Sequence, residues 1–112
     1  MRIRCGILFG MYIAMNHFHV AAGRGEEFEQ LWRERESYLD DVPGFREFHL
    51  VRGASDEDGT HRYASHSTWE SEDAFVAWTQ SESFRKAHGQ RRMPGGLMLG
   101  HPRFTGWQTV EL

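Results

Sequence analysis

The chain has 112 residues, 13 basic and 16 acidic, giving a formal charge of −3, with 39% hydrophobic and 26% charged residues. That is the size of one domain with one core; it leaves no room for a separate cofactor domain, and the composition excludes a disordered tail. The acidic balance argues against a nucleic-acid binder held by backbone phosphates, no run of 18 apolar residues is present to span a membrane, and a lone Cys5 excludes an internal disulfide or a multi-thiolate metal site.

In chain order, the opening MRIRCGILFGMYIAMN carries two arginines and then a short apolar run interrupted by two glycines. No small-residue cleavage site follows, so secretion is not expected and the cytoplasm is. Residues 1–10 read as an extension ahead of a single domain over 11–112, with Met11 as an alternative start. The first strand is expected over 11–20, with Tyr12, Ala14, Asn16, Phe18 and Val20 on one face and Ile13, Met15, His17 and His19 on the other. Asn16 is then a polar group on a mostly apolar face and needs a partner or a ligand.

The spacing of Phe28, Leu31, Trp32, Arg35, Tyr38 and Leu39 predicts a helix over 25–41, stopped by Val42-Pro43-Gly44. Strands are expected over 45–52 and 61–69, separated by an acidic loop with turn chemistry at Asp58-Gly59. Ser71 and Ser81 each read as the N-cap of a short helix, the first carrying Phe75 and Trp78, the second Phe84, Ala87 and His88 and ending near Gly89. A long loop over 89–103 precedes a last strand over 104–112.

With the two short helices counted as one bent element, the order is β-α-β-β-α-β, the ferredoxin-like pattern of an α+β fold. Its sheet carries helices on one face only. The other face is left with Ile13, Met15, Phe45 or Phe48, and Trp107, and dimerisation through the sheets is the economical way to cover it.

Phosphate-loop and His-Glu-x-x-His patterns are absent, and His17 and His19, two apart on one strand face, lack a clear third metal ligand. The constellation with most chemical content is Asn16, Trp78 and His88. A carboxamide, an indole and an imidazole around one apolar gap suit a flat aromatic ligand, and a neutral imidazole can ligate iron. The residues alone are equally compatible with a core Trp, a surface His and an Asn bonded to backbone.

The chain resembles the antibiotic-biosynthesis-monooxygenase superfamily, and within it the small bacterial heme-degrading monooxygenases. The resemblance covers about 12–112 and rests on Asn16-x-Phe18-x-Val20-x-x-Gly23, on Val42-Pro43-Gly44-Phe45, on Trp69-Glu70-Ser71-Glu72-Asp73-Ala74-Phe75-x-x-Trp78, and on Ser81-x-x-Phe84-x-x-Ala87-His88. It implies subunits pairing as a dimeric α+β barrel, with heme as both substrate and cofactor. It also implies dioxygen and an external electron donor as partners, opening of the porphyrin ring and release of iron. Position by position, it implies His88 as the ligand of heme iron, Asn16 as the amide on the oxygen side and Trp78 as the bulky group that favours a ruffled ring. Trp69 would be scaffold, and Arg91 or Arg92 would pair with the heme propionates. Two alternatives stand beside this reading. One is a cofactor-independent monooxygenase of a polycyclic quinol or anthrone-like substrate, in which His88 holds no iron. The other is a non-enzymatic barrel that binds a small ligand or serves in stress.

Overall fold

The computed structural model describes residues 10–35, 37–89 and 93–112. Its elements are β1 (Tyr12–Val20), α1 (Gly25–Glu34), β2 (Phe45–Arg52), β3 (His61–Trp69), α2 (Glu72–Thr79), α3 (Glu82–Gly89) and β4 (Arg103–Gln108). Most of the expected extension, residues 1–9, lies outside the described residues, as do Arg91 and Arg92.

Local chemistry accounts for the element ends. Acidic Glu26 and Glu27 open α1 and Arg33 lies in its last turn, as the helix dipole favours. The Ser71 hydroxyl accepts from the Ala74 amide at 3.1 Å and the Ser81 hydroxyl from the Phe84 amide at 3.1 Å, so both predicted caps are made. Gly44 has φ +83 and a Cβ there would lie 2.5 Å from the Ala74 methyl, so the turn before β2 admits only glycine.

α1 stops at Glu34 rather than running to residue 41. Arg35 is extended at ψ 148, and Tyr38 sits at φ +57, a strain of order 1–3 kcal/mol for a bulky residue. The departure from helix places Leu39, 3% exposed, in a cluster with Tyr12, Ala14 and Trp69. The helical spacing of Tyr38 and Leu39 is therefore overridden by a burial site away from the α1 face.

The sheet has the order β2-β3-β1-β4 with every neighbouring pair antiparallel. This is the β-α-β-β-α-β arrangement with the last helical element split in two. The barrel implied by the resemblance is not what the chain forms: β2 and β4 are edges separated by two strands, and the sheet is open. Closing a sheet takes a hydrogen-bonded partner for each edge and a strand number near eight, and four strands supply neither.

One face carries the helices. Facing residues form rows across it: Phe48, Ser67, Ala14 and Gly106, then Leu50, Ser65, Asn16 and Phe104. The other face carries Val51, Ala64, His17 and Arg103, then His49, His66, Met15 and Thr105, then Glu47, Thr68, Ile13 and Trp107. Phe45 and Phe48 both belong to the helix side, because an irregularity at Arg46 gives β2 one extra residue and switches the parity.

Two apolar clusters fill the helix side. Phe18, Val20, Phe28, Tyr63 and Leu97 form one, beneath α1. Tyr12, Ala14, Leu39 and Trp69 form the other, beneath α2. Leu97 is fully buried and the neighbouring Met98 bridges to Val20, so the described part of the long loop is pinned to the end of β1. β4 ends at Gln108, short of the predicted 112, and Val110 and Leu112 are exposed. Among the described residues, no helix is long and apolar enough to cross a membrane.

Candidate active site

Between the sheet and the helices lies a cavity of ≈ 440 Å³. That is within the range of about 300–1,000 Å³ usual for small-molecule sites. The sheet supplies its floor: small Ala14 and Ser67, and polar Asn16 and Ser65. The two short helices supply one wall through Phe75, Trp78, Phe84 and His88, the end of α1 supplies Trp32 and Arg35, and Phe104 closes the β4 side. The three residues singled out in the sequence, Asn16, Trp78 and His88, thus line one cavity.

His88 is oriented before any ligand arrives. Its Nδ1 lies 2.9 Å from the Phe84 carbonyl oxygen, one helical turn back. A carbonyl only accepts, so Nδ1 carries the proton and, in the neutral ring, Nε2 carries the lone pair. The imidazole also stacks on the Phe84 ring at 3.8 Å between centroids. Trp78 joins this aromatic wall: it meets Phe84 edge-on at 4.8 Å and Trp69 at 5.3 Å. Its Nε1 is shielded from solvent and has no hydrogen-bond partner among the described residues. Trp69 differs: it is fully buried and its Nε1 donates to the Ser67 hydroxyl at 2.9 Å, a scaffold arrangement.

Sequence reasoning missed Arg35, whose guanidinium lies over the Trp32 ring at 4.3 Å and lines the cavity. The signal was its place among the apolar residues of the predicted helical face, with Phe28, Leu31 and Trp32. Phe104 was missed as well; it is 49% exposed and stacks on Phe75 at 5.6 Å.

The other histidines stand apart from this site. His17 is on the bare sheet face, hydrogen-bonded to the Thr105 hydroxyl at 2.9 Å, and His19 is bonded to the Thr60 hydroxyl at 2.7 Å. Among the described residues, no group of three or more His, Cys, Asp or Glu is placed to hold a metal ion.

A heme fits the donor set: an imidazole with its Nε2 lone pair set by the Phe84 carbonyl, an orphaned indole N–H, a cavity-lining guanidinium able to meet a carboxylate, and aromatic walls.

The chain is similar in sequence and in shape to known proteins. The chain is 33% identical over 82 residues, 73% of its own length and 75% of the relative's, to a heme oxygenase (mycobilin-producing) of Mycobacterium tuberculosis. The heme-degrader MhuD from the same organism, solved with two hemes bound in its active site, superposes with a TM-score of 0.70 at 29% identity, covering 88% of this chain and 95% of that one. SnoaB, a cofactor-independent oxygenase from Streptomyces nogalater, has a TM-score of 0.63 at 19% identity over 92% of this chain and 96% of that one, a likeness of fold alone. The family model for antibiotic biosynthesis monooxygenases matches residues 11–90, and with that match the chain belongs to this family.

Proposed function

We propose that the chain is a heme-degrading monooxygenase that takes heme as substrate and cofactor, with dioxygen and an external electron donor. The observation that carries this reading is His88: its imidazole lines an apolar cavity with Nδ1 tied to the Phe84 carbonyl, beside Asn16 and an unpartnered Trp78 indole. The similarity to mycobacterial heme degraders supports it. When bound, heme supplies a redox-active iron and the macrocycle that is itself oxidised.

The protein's share is positioning. His88 holds the group through Nε2, and the Phe84 carbonyl keeps the ring from turning. Asn16 offers a carboxamide from the sheet floor to the oxygen side. The Trp78 indole would pack against a bound heme and favour its distortion, and the aromatic wall would exclude water. Arg35, with Arg91 and Arg92, is the natural partner for propionate carboxylates. A cofactor-independent reaction would use the same cavity and leave His88 without a task.

The bare sheet face suits pairing with a second copy. Trp107 is 55% exposed there, and His66 Nδ1 is buried without a partner among the described residues. Two open sheets meeting face to face would cover Ile13, Met15 and Trp107. The proposed location is the cytoplasm.

The test is a hemin titration of the purified protein, followed by a reductant in air. A saturable Soret band that then decays with iron release is the expected result. Absence of saturable hemin binding overturns the reading and favours the cofactor-independent one.

A further inference from the structure

The cavity floor holds a polar group that this reading leaves unused. Ser65 lies mid-strand in β3, is 6% exposed, and stands directly across from Asn16. Facing antiparallel residues hold their Cβ atoms about 4.5–5.5 Å apart on one side of the sheet. Both residues line the cavity.

The neighbouring serine shows what a structural hydroxyl looks like in this sheet. Ser67 donates to the Ala14 carbonyl at 3.4 Å and accepts from Trp69 Nε1 at 2.9 Å. No comparable bond ties the Ser65 hydroxyl or the Asn16 carboxamide to another described side chain; both line the open cavity. Two adjacent polar groups, on two strands and lining one cavity, mark a place where a polar ligand atom can be received.

We infer that Ser65 is a second ligand-contacting residue, which with Asn16 forms a two-point hydrogen-bonding station on the cavity floor for the small polar ligand bound on that side of the heme. Asn16 alone fixes such a ligand to β1. Adding Ser65 draws it toward β3, and so restricts which edge of a flat macrocycle it can reach. The inference rests on the heme reading above.

Fluoride titration of hemin-loaded protein tests it, since a bound anion reports directly on hydrogen-bond donors around it. Ser65→Ala is expected to bind hemin as the wild type does, because His88 is untouched, and to bind fluoride about tenfold more weakly. Ser65→Thr retains the hydroxyl and is expected to stay within about twofold of wild type. Unchanged fluoride affinity in Ser65→Ala overturns the inference. So does an equal loss in Ser65→Ala and Ser65→Thr accompanied by weakened hemin binding, which is the mark of a packing role. Failure of the wild type to bind hemin at all strikes the heme reading itself, and is read in the hemin titration before any fluoride is added.

Discussion

The two ends of the helix-side interior are built to different ends. Under α1, the rings of Phe18, Phe28, Trp32 and Tyr63 interlock at centroid distances of 4.9–6.2 Å. The Tyr63 hydroxyl here donates to Glu29 at 2.5 Å, and Glu29 also accepts from Arg33 and Arg52. Under α2 and α3 a cavity lies among the aromatic residues, lined by Asn16, by Ser65 and by the indole of Trp78, whose Nε1 has no hydrogen-bond partner among the described residues. At one end the polar network of Tyr63, Glu29, Arg33 and Arg52 closes within the chain. At the other, polar groups and aromatic rings are left facing a cavity.

Substitutions that respect this division should separate binding from stability. The largest effect is expected from His88→Ala, which should abolish the saturable Soret band and turnover; an unchanged band in that variant would break the assignment of the cavity end. Phe28→Ala, at the completed end, should cost about 3–5 kcal/mol in denaturant unfolding, because no neighbour can refill the space of a fully buried ring. Trp78→Ala should still bind hemin but degrade it at least about tenfold more slowly, as misplacement of a ligand typically costs; full-speed degradation would remove Trp78 from the mechanism.

Smaller and pH-dependent effects belong to the Tyr63–Glu29 bond. Tyr63→Phe should cost about 1.5–3 kcal/mol, the worth of a hydrogen bond to a charged group. Burial, and then the neighbouring Glu29 carboxylate, push the Tyr63 phenol up to about 12. The fold thus prefers the neutral phenol. That contribution is complete below the ordinary tyrosine value of about 10 and is lost as pH rises through 12. Glu29 is held below the usual carboxylate range, first by the Tyr63 hydroxyl and then by Arg52 and Arg33. Its contribution is present above about pH 4.3 and fades as pH falls through the depressed value. Unfolding curves of Tyr63→Phe should show a flatter alkaline limb than wild type; equal slopes would show that this end is not tied down as described.

Much of this division was legible in the sequence. Alternation along the first strand put Tyr12, Ala14, Asn16, Phe18 and Val20 on one face, as the register has them, and the two serine caps located α2 and α3. The failures have particular causes. Periodicity carried α1 too far because Leu39 fits the helical spacing but is buried in the second cluster. The parity of Phe45 against Phe48 depended on one extra residue at Arg46, which no alternation pattern announces. Arg35 and Ser65 were both visible as polar residues on apolar faces, but only the register across strands shows that Ser65 stands beside Asn16. Closure into a barrel, implied by resemblance, was not a property any single chain's pattern could carry.

The central position of β1 has a kinetic consequence. Hydrogen-bonded to β3 on one side and β4 on the other, it holds Asn16 on a backbone whose amides exchange with solvent only when the sheet itself opens. His88 and Trp78 instead ride on helices of eight residues each, a length that is marginal without tertiary support. Excursions of this helical wall are therefore frequent on the timescale of sheet opening. Native-state hydrogen exchange should therefore be faster for the amides of this helical wall than for that of Asn16 on the floor.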